Sequence, residues 1–203
     1  MTPKLSRDFY LQDTVAVARA LIGCILWRRV RGHLEGARIV ETEAYLGAND
    51  AASHARRGLR SERNESMYLE GGHAYVYLSY GMHWCMNVVT QEKDTAEAVL
   101  LRAAQPVAGI ENMWKRRPKA KREHELMNGP GKLCAALMID RRLDGEALNG
   151  DRLFLTEADP RVHPDEIAIS KRVGVDNSGD AAHWPLRFFI NGSRYVSAHR
   201  YAR

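Results

Sequence analysis

The stretch RIVETEAYLG places two carboxylates, Glu41 and Glu43, two residues apart at the end of a run rich in β-branched residues. Residues two apart on a strand share a face, so both acids are expected on one side. One reading is a solvated strand end. A second is the acid–base pair of a glycoside hydrolase, but that mechanism sets carboxyls across the scissile bond, which neighbours on one strand face do not span. A third is a lone general base that activates water. Around the acids cluster Tyr45, His54, Tyr75, Tyr77, Tyr80, His83 and Trp84. Strand aromatics commonly fill cores. Tyr and His faces also suit a slot for a planar ring, more so a cationic one. Arg102 lies in the apolar segment AVLLRAAQPV, where a guanidinium needs a carboxylate or phosphate partner. The turn NGPGKLCAALMID opens a helix beside Lys132 and could bind phosphate through backbone N–H groups. It lacks the GxxxxGK[ST] pattern, so nucleotide hydrolysis is not supported.

The elements that must position these groups follow from the pattern. DTVAVARALIG begins with cap-type Asp13 and Thr14 and ends at Gly23, which reads as a helix. CILWRRVRGHLEGARIVETEAY reads as two strands joined around Gly32 or Gly36. NDAASHARRG reads as a short helix or turn and RSERNESMYLEGGH as loop. AYVYLSYGMHWCMNVVT reads as a hairpin that turns at Tyr80-Gly81. AEAVLLRAAQPV reads as a strand stopped by Pro106, and VAGIENMWKRR as a helix. RRPKAKRE is a basic loop, either solvated or in contact with phosphate. GPGKLCAALMI continues as a helix, and DRLFL and PLRFFI read as later strands. There is no linker and no βαβα order. The expected class is therefore α+β with antiparallel pairs, in one domain over residues 1–203.

The 203 residues, 45% hydrophobic and 27% charged, are those of a globular chain able to bury a core. A net charge of +5 favours a polyanionic partner such as nucleic acid. Cys24, Cys85 and Cys134 are odd in number and far apart, without metal spacing, and read as reduced core thiols. MTPKLSRDFY has no apolar leader core and no run approaches a membrane span. A soluble, intracellular protein is expected.

In their order, RIVETEAYLG…ASHARRG, YVYLSYGMHWCMNVV, LLRAAQPV, NGPGKLCAAL and KRVGV…PLRFFINGSRYVS resemble the alkyladenine (3-methyladenine) DNA glycosylase family, also called methylpurine-DNA glycosylase. The resemblance runs from about Phe9 to Ser197. It implies a single mixed domain with a curved antiparallel sheet, surrounding helices and a protruding hairpin that inserts into DNA. It implies a monofunctional enzyme that flips damaged purines (3-methyladenine, 7-methylguanine, hypoxanthine, ethenoadenine) out of duplex DNA. Water then hydrolyses the N-glycosidic bond, with no metal or organic cofactor. By the same resemblance, Glu43 is the general base, and Arg102 with the Val175 carbonyl holds the water. Tyr45, His54 and Tyr77 sandwich the flipped base, and the amides of Ala52 and His54 meet the purine edge. Asn87 excludes the guanine amine. Tyr80, supported by Met82, fills the gap left in the duplex, and Lys132 and Arg63 contact its backbone. A monomer in the cytoplasm or nucleoid is expected, with damaged duplex DNA as partner and no membrane.

Two positions depart from the usual family pattern: His83 stands where some relatives carry an aromatic such as tyrosine, and Gln105 replaces a glutamate common before the proline, here Pro106. Two other functions compete. One is a non-catalytic damage-binding module, which would bind DNA with steep salt dependence and release nothing. The other is a bifunctional glycosylase–lyase using Lys132 as an amine nucleophile.

Overall fold

In a computed structural model that describes residues 2–157 and 160–197, the strands form one antiparallel eight-stranded sheet. They are β1 (Ile25–Val30), β2 (His33–Tyr45), β3 (Ala74–Ser79), β4 (His83–Thr90), β5 (Glu97–Ala108), β6 (Leu153–Thr156), β7 (Ile167–Ser170) and β8 (Arg187–Ile190). The main order is β3-β4-β5-β2-β1-β6. β2 is the spine. β5 lines one side of it, while β1 pairs with its first half and β8 with Glu41 to Glu43. The helices are short: α1 (Arg7–Tyr10), α2 (Thr14–Ala20), α3 (Ile110–Arg116) and α4 (Pro130–Ala136). The mixed antiparallel class expected from the element order is what forms.

Local chemistry explains the boundaries. Asp13 caps α2 by accepting the Ala16 N–H at 2.9 Å. The β1–β2 turn is at Arg31-Gly32, both with positive φ. Gly36 has a different duty: a Cβ there would lie 2.6 Å from the Trp27 ring, so the strand carries glycine to let the indole lie flat. β7, in the unremarkable sequence DEIAIS, was not anticipated.

The expected stop at Pro106 is corrected, because β5 runs on to Ala108. The Ala104 N–H points away from β2 and bonds the Met127 carbonyl at 3.3 Å. Position 106, two residues on, faces the same way, and β4 pairs with β5 only as far as Leu100. Proline there removes no ladder hydrogen bond.

The decisive irregularity lies where β2 crosses β5. The pairing shifts between Ile39 and Glu41 and again between Glu41 and Thr42, leaving Val40 and Arg102 out of register. A one-residue slip moves side chains to the other face. Before the slip, Ala37 and Ile39 enter the main core, whereas after it Ala44 does, and Thr42 Oγ1 donates to the Ala18 carbonyl on α2. Glu41, Glu43 and Tyr45 are thereby turned to the opposite face. Register then aligns Tyr75, Asn87, Leu100 and Glu43 in one row across β3, β4, β5 and β2.

β3 and β4 are joined by Tyr80, Gly81 and Met82 in a tight turn in which Tyr80 (φ +49°) and Gly81 (φ +68°) are both left-handed and the Met82 N–H returns to the Ser79 carbonyl at 3.0 Å. This is the primed geometry that matches strand twist and favours Asn-Gly. A tyrosine in this region costs about 1 kcal/mol. Tyr80→Asn is therefore expected to leave stability unchanged or raise it by up to about 1 kcal/mol, as measured by urea denaturation. The ring is 86% exposed, and Met82 72%.

Candidate active site

The face opposite the main core holds a cavity of about 750 Å³. Its lining alternates along each strand: Tyr75 and Tyr77 from β3, Cys85 and Asn87 from β4, Ala98, Leu100 and Arg102 from β5. Tyr45 closes the end of β2, loop residues Ala52, His54 and Arg63 form one rim, and Val173 to Val175 form another. Tyr80 stands at the lip. The cavity's size is that of sites for small organic ligands.

Glu43 and Glu41 are both fully buried, which corrects the solvated-strand-end reading. Glu43 lies behind the lining. Its Oε2 accepts the Tyr45 hydroxyl at 2.9 Å and Arg102 at 3.3 Å, and its Oε1 accepts the Val173 N–H at 2.7 Å. All three neighbours line the cavity. A carboxylate has about four acceptor positions, so one on Oε1 is left. Arg102 also donates through Nε to Glu41 at 3.0 Å. Burial disfavours its charge, but Glu43 and Glu41 outweigh that and push it further up. Burial first, then Glu43, pushes the Tyr45 phenol well up, so it acts only as a neutral donor to the carboxylate.

The aromatic wall is a packed set. Tyr75 and Tyr77 stack with centroids 5.3 Å apart, and His54 meets Tyr77 edge-on at 4.5 Å. The Tyr75 hydroxyl lies 2.7 Å from His54 Nδ1. Burial, then Arg63 and Arg56, push His54 down to about 4, so the ring is neutral at pH 7 and Nδ1 can accept the phenol proton. A depressed folded value means that the unfolded chain binds the proton more readily. This stabilisation is complete above the ordinary histidine value of 6.5 and is lost as pH falls from there towards 4. The loss is expected to reach about 3 kcal/mol. Ring C–H titration by NMR should give a midpoint near 4, and urea unfolding across that range should show the decline.

The other expected residues are distributed as follows. Asn87 is buried in the cavity wall, its amide donating to the Tyr75 carbonyl at 3.1 Å. The Ala52 N–H is committed to Asp50 Oδ1 at 2.9 Å, whereas the His54 N–H has no acceptor among the described residues. The Val175 carbonyl accepts the Ser178 N–H at 3.0 Å and keeps a second lone pair. Arg63 lines the cavity and reaches the Leu78 carbonyl at 3.4 Å, linking the loop to the hairpin. Lys132 is exposed, bonds Asn128 at 2.7 Å and does not line the cavity. Gly131 has a packing reason, since a Cβ there would lie 2.9 Å from His83 Cβ. The three cysteines are buried and form no disulfide among the described residues, and Cys85 belongs to the cavity wall.

Sequence reasoning missed the Asp50–Arg172 pair, which is fully desolvated. Arg172 donates to both Asp50 oxygens (2.9 Å at Oδ1), to the Ala44 carbonyl at 2.9 Å and to the Ala181 carbonyl at 3.0 Å. Its guanidinium lies over the Tyr45 ring at 4.7 Å. Asp50 also accepts the Leu46 N–H at 3.1 Å. One buried pair thus fixes both cavity rims and Tyr45. Nothing in the sequence links Asp50 to Arg172, because the two lie 122 residues apart.

Among the described residues there is no cluster of acids, histidines and cysteines suited to a metal ion, and no helix long and apolar enough to cross a membrane. A family model described as "Methylpurine-DNA glycosylase (MPG)" matches residues 8–194. A protein of Bdellovibrio bacteriovorus, provisionally named 3-methyladenine DNA glycosylase, is 45% identical over 95% of this chain and 98% of its own. Relatives with the same provisional name in Desulfitobacterium hafniense and Methanocella arvoryzae are also 45% identical, each over 96% of this chain and over 98% and 96% of their own.

Proposed function

Because the chain belongs to the methylpurine-DNA glycosylase family, and so to the hydrolases of DNA repair, we propose that it flips a damaged purine into the cavity and hydrolyses its N-glycosidic bond with Glu43 as base. The observation that carries this is one juxtaposition: an aromatic-walled cavity, a buried carboxylate–arginine pair directly behind its wall, and an exposed tyrosine at its lip.

The flipped base lies among Tyr45, His54 and Tyr77. Cationic 3-methyladenine gains from electron-rich rings, and a damaged base is easier to extrude because it pairs poorly. The His54 amide is the available donor to the purine edge. The Ala52 amide must first exchange Asp50 for the base. Asn87 stands where a guanine amine would be refused. Water enters past Tyr45 and is held by Glu43, Arg102 and the Val175 carbonyl. It attacks the sugar C1′, Glu43 takes its proton, and the C1′–N bond breaks with its electron pair leaving on the base. The carboxylate also favours the oxocarbenium charge that develops. Tyr80 and Met82 fill the vacated space in the duplex, offsetting part of the few kcal/mol of lost stacking. Arg63 and Lys132 meet backbone phosphates.

The test is excision from duplexes carrying hypoxanthine or ethenoadenine and from methylated DNA. Release from none of them sinks the reading. Borohydride trapping of a protein–DNA adduct would favour the lyase alternative, to which the exposed Lys132 outside the cavity gives no support. Tyr80→Asn, neutral or better for stability, is expected to weaken lesion-duplex binding about 10- to 100-fold, as befits a base-stacking contact of 1–3 kcal/mol. Unchanged binding in a gel-shift titration would remove Tyr80 from the interface.

A further inference from the structure

We infer that Glu41, latched by Ser197, is a positioning residue that aims Arg102 at Glu43. The inference rests on the glycosylase reading and extends it to residues outside the cavity. Arg102 is the residue left out of register on β5, so the ladder on either side does not dictate its aim. What holds it is Glu41, the neighbouring acid on the same strand face. Glu41 accepts Arg102 Nε at 3.0 Å and Arg187 Nε at 2.7 Å. Ser197 adds two further donors, its backbone N–H reaching Oε2 at 2.7 Å and its hydroxyl reaching Oε1 at 2.8 Å. With Glu41 satisfied in this way, Arg102 presents a single nitrogen to Glu43, at 3.3 Å.

The residues just before Ser197 are seated on the same irregularity. Tyr195 and Val196 pack with Val40, itself out of register, with Ala103 next to Arg102, and with Phe189 of β8. The Tyr195 hydroxyl donates to Glu123 at 2.5 Å. A segment 156 residues downstream of Glu41 therefore clamps the bulge from behind. If the clamp is weakened, Glu41 can turn and Arg102 can fork onto Glu43 with two nitrogens. That would occupy the lone pair on which the proposed water depends.

The experiment is single-turnover excision of a hypoxanthine duplex by the full-length wild type, Ser197→Ala, Ser197→Thr and Glu41→Gln, with lesion-duplex Kd measured alongside. Ser197→Ala is expected to lower the rate about 5- to 10-fold with full reaction amplitude and a Kd within twofold of wild type. Ser197→Thr, which keeps the hydroxyl, should recover most of the rate. Glu41→Gln should fall 10- to 100-fold at retained binding. A merely structural role would instead lower the amplitude, which counts active molecules, and leave the rate alone. A wild-type rate for Ser197→Ala, a loss confined to amplitude or Kd, or no recovery in Ser197→Thr overturns the inference. No release by the wild type would instead overturn the glycosylase reading itself.

Discussion

Glu43→Gln is expected to stop base release, lowering the single-turnover rate by roughly 10³-fold or more, while lesion-bearing duplex is still bound within a few-fold of wild type. The amide is isosteric. Its oxygen can go on accepting the Val173 N–H, and Arg102 keeps Glu41 as a counter-charge. The base-facing walls do not include Glu43, so the flipped purine loses no contact. On the proposed mechanism, what is lost is the proton acceptor for water and the negative charge beside the developing oxocarbenium ion. Single-turnover excision and a gel-shift titration on the same duplex separate these effects. Retained rate would mean that another group is the base. Retained fold with lost binding would mean that Glu43 shapes the cavity rather than the chemistry.

Asp50→Ala should have the largest effect on stability. It strips the partner from Arg172, which is fully buried beneath the rims, and frees the N–H groups of Leu46 and Ala52. Leaving one member of a buried pair uncompensated costs about 3–5 kcal/mol, which lowers the melting temperature by roughly 10 °C in a chain of this size. Activity should fall too, because Tyr45 loses the guanidinium stacked on it and the two rims lose their common anchor. Thermal denaturation checks the first point and excision the second. Adding Arg172→Met should recover part of the stability, since removing both charges is far milder than removing one. An additive double variant would show that the pair is not coupled.

Much of the cavity's composition is legible from alternation. β3 sets Ala74 and Val76, and β4 sets Met86 and Val88, towards the core, with Tyr75, Tyr77, Cys85 and Asn87 towards the cavity, and a period of two is a local property of the chain. Tyr80-Gly81 reads as a turn because few dipeptides tolerate two left-handed residues, and the tyrosine's poor fit there points to a duty outside the fold. Arg102 announces its need for an anionic partner by standing among aliphatics. The misreadings have equally physical causes. Pro106 looked like a stop because a strand's neighbours are not written in its own sequence. Here that side of β5 pairs with no strand beyond Leu100. The solvated-strand-end reading of Glu41 and Glu43 fails because hydropathy reports a side chain's preference and not the partners that overrule it.

Residue types and spacing alone therefore determine the strand faces, the turn, the demand for an ion pair and the family. The tertiary structure decided which way the acids face. A slip of register between β2 and β5 flips Glu41, Glu43 and Tyr45 off the core side. It also decided what satisfies the buried charges: Asp50 with Arg172 across 122 residues, and Glu41 with Ser197 across 156. Register and long-range charge pairing are set by the packing of several segments at once. No one segment encodes them, because a desolvated charge accepts any well-placed partner and only the folded chain determines which one arrives.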